Sequence, residues 1–339
     1  SRAGDLQKGL QTPQMRLGIT STIPLEVALA GGHTLVDLNN QFVSAPEPLK
    51  LVKYAERCGF PTNCCGWIRG IYGGVMLLNG IDAVIAVTGG DCSNTHALAE
   101  TFRARDIRII PFSFPFDRSP QVLGSELVRF ASALGTDLRA AEEMRRKLVP
   151  LRRKLRQLDS ELAQGRATYE EFHAMAVASS DFNGDPIVYE SLLDALLADV
   201  SSRKPQVRGI PITLLGVPPI ITDFSGLLDS CGLRVVMDEI PRQFCMDPDS
   251  HGLTDQYIRY TYPYGITNRL PDIIEQSKAR GSRGIIHYTQ SFCFRAIEDV
   301  VLRERVDLPV LTVEGDEPGR ADERLRIRLE SFAEMLCGV

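Results

Sequence analysis

Short apolar runs alternate with longer segments of helical spacing along most of the chain. The runs are rich in branched residues and nearly continuous, and they fall at 33–39, 82–88, 107–113, 210–216, 233–239, 283–289 and 308–315. Helical patterns cover 46–58, 66–79, 93–105, 121–134, 266–280, 293–305 and 321–336. Continuous apolar strands are typical of a parallel sheet that is buried on both faces. The alternation therefore predicts an α/β fold with doubly wound parallel sheets.

The middle of the chain departs from this alternation. Residues 137–200 contain no strand pattern, and their helical spacing carries dense mixed charge. Such a pattern is typical of a solvated helical connector, with a partner-docking surface as the alternative. We therefore expect an N-terminal α/β lobe at 15–140, a helical connector at 141–200 and a C-terminal α/β lobe at 201–339.

Charge and composition narrow the range of functions. The 339 residues include 38 basic and 43 acidic side chains, for a net charge of −5. A nucleic-acid-binding surface needs a basic stripe, so we expect no nucleic-acid partner. No apolar run approaches the roughly 20 residues of a membrane span, and no charged-then-apolar leader opens the chain. We expect a cytoplasmic protein away from membranes, in which the cysteines stay reduced.

Three of the eight cysteines lie at the ends of predicted elements. Cys92 and Cys293 each follow a predicted strand, and Cys65 directly precedes a helical pattern. In an open parallel sheet, ligands bind beyond the carboxyl ends of the strands. If the two lobes face each other, the three thiols meet in the cleft between them.

The position of these thiols at helix N-termini suits an anionic centre, because free N–H groups and partial positive charge stabilise thiolates there. A cluster held by three cysteines keeps one iron open for chemistry, so an iron–sulfur cluster is one interpretation. Spacing alone leaves two others open. Zinc also accepts three thiolates, with His96 as a fourth ligand. Alternatively, one cysteine is a nucleophile with His287 as its base.

Three segments carry a resemblance to a known family. They are "CCGWIRGIYG" (64–73), "VTGGDCSNTHALAE" (87–100) and the stretch "CFRAIEDVVLRERVDLPVLTVEGDEPGRADERLRIRLESFAEML" (293–336). On these residues the chain resembles the 2-hydroxyacyl-CoA dehydratase D-component family, which includes benzoyl-CoA reductase subunits and double-cubane cluster proteins. The resemblance runs from about residue 17 to the C-terminus.

The resemblance implies a cofactor and its ligands. Family subunits carry a cluster on three cysteines, one from each such segment, which here are Cys65, Cys92 and Cys293. The cluster is either a 4Fe–4S unit or a double-cubane 8Fe–9S cluster shared across a dimer. In the family, an aromatic-then-basic pattern begins two residues after the first cysteine. Here that pattern begins two residues after Cys65, so Cys65 is preferred to the adjacent Cys64.

The resemblance also implies an activity and partners. In the family, an ATP-hydrolysing iron–sulfur activator protein injects one low-potential electron. Dehydratases use it to form a ketyl radical from a 2-hydroxyacyl thioester, whereas double-cubane proteins reduce small molecules as homodimers. The chain has no G-x-x-x-x-G-K-[ST] pattern, in line with a separate activator. We expect an iron–sulfur reductase or dehydratase-like lyase that acts on a small-molecule substrate, as a homodimer or as a heterodimer with a related subunit.

Two further groups are candidate catalytic residues. Arg69 lies one turn inside the helix that follows Cys65, where it offsets cluster charge or pairs with a surface acid. His287 lies near the end of a predicted strand and is either a proton donor or a hydrogen-bonded core histidine. Asp91, just before Cys92, is expected to cap the following helix. The rival functions are a non-redox zinc hydrolase and a non-catalytic, cluster-binding scaffold or electron relay.

Overall fold

Strands and helices alternate in both halves of the molecule. The computed structural model describes residues 13–78, 80–90 and 92–338, and the prediction for Asp91 lies outside them. The strands are β1 (Arg16–Ile19), β2 (Thr34–Asp37), β3 (Ala83–Gly89), β4 (Ile109–Ser113), β5 (Ile210–Gly216), β6 (Leu233–Asp238), β7 (Gly284–Thr289) and β8 (Val310–Glu314).

Helices connect these strands and also fill the middle of the chain. They are α1 (Leu25–Ala30), α2 (Leu38–Val43), α3 (Pro48–Arg57), α4 (Gly66–Leu77), α5 (Asn94–Arg103), α6 (Pro120–Ala133), α7 (Leu138–Ala163), α8 (Tyr169–Ala178), α9 (Pro186–Ser202), α10 (Phe224–Ser230), α11 (Glu239–Phe244), α12 (Leu253–Arg259), α13 (Ile266–Ala279), α14 (Phe294–Arg305) and α15 (Glu323–Cys337). A short 3₁₀ helix covers Phe182–Gly184.

The strands form two separate four-stranded sheets, ordered β2-β1-β3-β4 and β6-β5-β7-β8. Every pairing between these strands is parallel. In each sheet the chain adds one strand beside the first and then crosses to its other side, which creates a switch point next to the first strand. Ligands bind at the carboxyl edge of a parallel sheet at such points. The predicted α/β fold with two doubly wound parallel sheets is confirmed.

The two lobes share one order of elements: strand, helix, strand, three helices, strand, helix, strand, helix. Each element of the first lobe therefore has a counterpart in the second. Cys92 follows β3 and Cys293 follows β7, so these two cysteines occupy equivalent loops. The residue before α4 is Cys65, whereas the residue before its counterpart α13 is Gly265. This correspondence accounts for two cysteine loops in one lobe and one in the other.

Helix α7 is part of the interior. Its 26 residues span about 39 Å at 1.5 Å per residue. One face buries Leu148, Leu151, Leu155, Leu158 and Leu162 in a core that also contains residues of β1, β3 and α12. The expectation of a solvated connector is therefore wrong for this face. The sequence of α7 is rich in charged residues, but its leucines recur at helical spacing and form one continuous apolar stripe. The three-part division of the chain stays a prediction.

Candidate functional site

A cavity of about 120 Å³ lies between the carboxyl edges of the two sheets. We call it the interlobe cavity. Its walls come from loops after β1, β2, β3, β5 and β7 and from the start of α4, and they include Thr20, Asp37, Cys65, Cys92, Val217 and Cys293. The three cysteines that the sequence singled out thus line one cavity, although they lie in three separate loops.

Cys65 enters the cavity as the N-cap residue of α4. The next residue, Gly66, donates its backbone N–H to Gln290 Oε1 over 2.8 Å. A Cβ atom on Gly66 would lie 2.4 Å from the carbonyl oxygen of Asp316. A glycine is needed here because the second lobe approaches the α4 backbone too closely for any side chain. The lobes therefore meet directly beside Cys65.

Cys293 is the N-cap residue of α14, and Cys92 lies two residues before α5. Neither Cys65 nor Cys293 makes a side-chain capping hydrogen bond, whereas the α6, α7 and α8 helices begin with the oxygen caps Ser119, Asp137 and Thr168. At these two helices a first-turn amide, that of Ile68 or Arg295, instead faces the cysteine sulfur, an arrangement that stabilises a thiolate.

The thiols are half-buried and influence one another. Burial raises the pKa of Cys65 to about 12, with the backbone amide of Ile68 acting against it and Cys92, Cys64 and Cys293 adding to it. Burial also raises the pKa of Cys293, although the amide and the charge of Arg295 lower it. Both thiols are therefore protonated at neutral pH in this state, and loading a metal must displace their protons.

The wall behind Cys293 carries buried charge. The Arg295 guanidinium stacks 4.6 Å from the centre of the Tyr262 ring, and its Nη1 atom lies 3.4 Å from Glu298 Oε2. Glu298 and Glu239 also hold the fully buried Arg269, over 2.7 Å and 2.6 Å. Two guanidinium groups thus face two carboxylates, which fixes Arg295 beside the cavity.

The part of the cavity wall at the carboxyl ends of β1 and β2 is polar. Asp37 Oδ2 accepts a 2.5 Å hydrogen bond from Ser180, and its backbone N–H donates to Asp181 over 2.7 Å. Burial raises the pKa of Asp37, with the bonds from Ser180 and Asn39 acting against it. Asn39 Nδ2 donates to the Thr20 carbonyl over 3.1 Å. The interlobe cavity therefore combines a thiol side with a side that can hold polar substrate groups.

The two predicted catalytic residues do not line the interlobe cavity. Arg69 is buried and forms an ion pair with Glu56. His287 Nδ1 lies 2.9 Å from Asp299 Oδ1. Burial raises the pKa of Asp299, but hydrogen bonds from His287 and two neighbours outweigh it and hold the pKa well below its usual range. These contacts favour packing roles, and the catalytic roles of Arg69 and His287 stay predictions.

Sequence reasoning missed several cavity residues. Gln290, Trp67 and Arg295 line the interlobe cavity, and Gln290 and Arg295 are almost fully buried. Gln290 directly follows a parallel strand. The rule that ligands bind at the carboxyl edge of a parallel sheet, which singled out Cys92, could therefore have found it.

The three thiols that line the interlobe cavity are a donor set of the kind that holds iron–sulfur clusters. In the described part of the chain, no three or more His, Cys, Asp or Glu side chains lie close enough to hold one metal ion. A zinc site gathers all its ligands around one ion. A four-iron cluster instead places each cysteine on its own iron, so its thiolates stand farther apart.

Comparison with protein families assigns the chain to a family. A family model described as 2-hydroxyglutaryl-CoA dehydratase, D-component, matches residues 20–336. The chain belongs to this family. The match spans both lobes and the helical segment, as the sequence resemblance predicted. A comparison with curated proteins gives no match for this dehydratase-family chain. No helix among its described residues is both long enough and apolar enough to cross a membrane.

Proposed function

We propose that this dehydratase-family protein holds a 4Fe–4S cluster on Cys65, Cys92 and Cys293 and uses it for reductive chemistry in the interlobe cavity. The observation that carries the proposal is the convergence of these three cysteines, from loops of both lobes, on one cavity. When bound, such a cluster supplies an open iron position and low-potential electron transfer.

The residues of the chain have separate roles in this proposal. The three cysteine loops bind the cluster. The amides of Ile68 and Arg295 lower the pKa values of Cys65 and Cys293 and so stabilise the thiolates. The charged Arg295 offsets part of the negative charge. Removal of water from the buried thiol side strengthens each of these electrostatic contacts.

The polar wall orients the substrate. Asn39 and the Thr20 backbone lie at the carboxyl ends of β2 and β1, beside Asp37. Because burial raises its pKa, the Asp37 carboxyl holds a proton at higher pH than an exposed one and can present it to a substrate oxygen. A substrate with a polar oxygen near its reacting carbon fits this wall, as a 2-hydroxyacyl thioester or a small reducible molecule does.

Electrons come from an ATP-hydrolysing iron–sulfur activator protein in this proposal, and the protein works as a dimer. The family description names the chain as one component of a larger system. An activator separates ATP hydrolysis from the substrate site, so this chain needs only to accept the electron.

Electron transfer from an activator tests the redox role. The anaerobically purified protein is mixed with a dehydratase-system activator ATPase and reductant, with ATP or without it, and its EPR spectrum is followed. We expect a new reduced-cluster signal only with ATP. The same protein with Cys92→Ser is the control and gives no such signal. A cluster whose state never responds to ATP and activator would contradict the electron-transfer role.

The substrate is tested in the same mixture. Consumption of 2-hydroxyacyl-CoA with formation of the 2-enoyl-CoA would assign dehydration, and reduction of a small molecule that carries no CoA group would assign the double-cubane type of activity.

A further inference from the structure

Gln290 touches both sides of the cysteine site. It directly follows β7, is 1% exposed and lines the interlobe cavity. Its side-chain Oε1 accepts the 2.8 Å hydrogen bond from the Gly66 backbone N–H, next to Cys65. Its backbone carbonyl accepts a 3.0 Å hydrogen bond from the N–H of Cys293. One residue therefore links the cysteine loop of the second lobe to that of the first.

The amide orientation of Gln290 is fixed by this contact. A flipped amide would place its NH₂ group against the Gly66 N–H, where two donors would face each other. The Nε2 atom is buried and has no hydrogen-bond partner in the described part of the chain. A buried donor without a partner costs on the order of 1–3 kcal/mol. This cost is avoided if a bound group accepts a hydrogen bond from Gln290 Nε2.

Two other buried polar atoms in the interlobe cavity share this property. Trp67 Nε1 and Thr22 Oγ1 also lack hydrogen-bond partners among the described residues, and both residues line the cavity. An indole N–H can only donate. Together with Gln290 Nε2, these atoms give the cavity three buried polar groups that suit a ligand rich in hydrogen-bond acceptors.

We propose that Gln290 is a positioning residue that sets the reduction potential of the group held by the three cysteines. Its Oε1 fixes the Cys293 loop against the start of α4, and its Nε2 donates a hydrogen bond to a sulfur of that group. The inference rests on the proposed function. A donor to a sulfur stabilises the reduced, more negative state, so it raises the reduction potential.

The test is an EPR-monitored redox titration of the cluster-loaded protein. Gln290→Met removes the donor at nearly constant volume. We expect at least a tenfold fall in the ratio of reduced to oxidised cluster at a fixed solution potential, which is a shift of about 59 mV to more negative values for one electron. Trp67→Phe removes the indole donor and keeps an aromatic ring, and we expect a shift in the same direction.

Gln41→Met is the matched control. Gln41 also has a buried side-chain atom without a partner, but it does not line the interlobe cavity. We expect the wild-type potential in this variant. A cluster in Gln290→Met with an unchanged potential would overturn the inference, and so would an equal shift in Gln41→Met.

Gln290→Leu is a second variant that removes the donor without adding a charge. Both Gln290→Leu and Gln290→Met leave the Gly66 N–H without the Gln290 acceptor, so we expect both cluster-free proteins to melt below wild type. We expect the potential of Gln290→Leu to shift downward as in Gln290→Met. An unchanged potential in Gln290→Leu would overturn the inference even if Gln290→Met failed to fold. A wild-type protein that takes up no iron would instead overturn the proposed function.

Discussion

Glu26 and Arg152 form an ion pair in which both side chains are fully buried. The same carboxylate accepts hydrogen bonds from Tyr257 over 2.7 Å and from Gln256 over 2.8 Å. Helix α1 of the first lobe, the central helix α7 and helix α12 of the second lobe thus meet at one carboxylate. This joint therefore connects the two lobes through the central helix.

Removing the carboxylate charge should destabilise the whole molecule. Glu26→Gln leaves Arg152 buried without an anion, and we expect the free energy of unfolding to fall by about 3–5 kcal/mol. Urea unfolding followed by circular dichroism measures it. Glu143→Gln is the control, because Glu143 and Arg139 form an exposed pair worth at most about 1 kcal/mol. Similar losses in both variants would contradict the role given to Glu26.

The close approach at Gly66 gives a second prediction. In Gly66→Ala the new Cβ would meet the Asp316 carbonyl at 2.4 Å, and we expect a loss of about 1–3 kcal/mol from overpacking. The α6 residue Gly124 has open space around it, so Gly124→Ala should stabilise by about 0.5–1 kcal/mol. Thermal melts of the two cluster-free variants compare them. A Gly66→Ala protein as stable as wild type would mean that the lobes do not meet there.

Much of the fold could be predicted from the sequence, because a parallel sheet demands long apolar runs. All seven predicted strands are present, and none of their ends shifts by more than two residues. The prediction missed β1, since its four residues, Arg16–Ile19, are too few for a pattern. It also missed short helices such as α2 and α11, each of six residues, since fewer than two turns show no clear helical period.

The candidate site was predictable only in part. The loops of Cys92 and Cys293 follow from the rule that ligands bind at the carboxyl edge of a parallel sheet. The orientation of the Gln290 amide depends on Gly66, 224 residues away, and no local pattern contains that contact. His287 lies on a strand buried along its whole length, so periodicity could not tell which side of the sheet its ring faces.

The carboxyl pair at the polar wall predicts a pH dependence of stability. Burial and the neighbouring Asp37 raise the pKa of Asp181 from 3.8 to about 6. Between these two values the folded protein binds a proton that the unfolded chain releases, so this group adds stability as the pH falls from about 7 to about 4. Asp181→Asn has no carboxyl group at this position to bind the proton, so it does not gain this stability.

Urea unfolding of both proteins at a series of pH values measures the effect. We expect wild type to gain stability over Asp181→Asn by on the order of 1 kcal/mol per pH unit in this window. Parallel stability profiles for the two proteins would contradict the raised pKa of Asp181.

The central claim is that Cys65, Cys92 and Cys293 hold one cluster, and anaerobic iron and sulfide analysis tests it most directly. We expect about four irons and four sulfides per wild-type chain, and loss of most of both in Cys65→Ser, Cys92→Ser or Cys293→Ser. Cys231→Ser, which changes a half-buried thiol outside the interlobe cavity, should keep the wild-type content. Full iron content in any of the three cavity variants, or stoichiometric zinc in place of iron in the wild type, would contradict the claim.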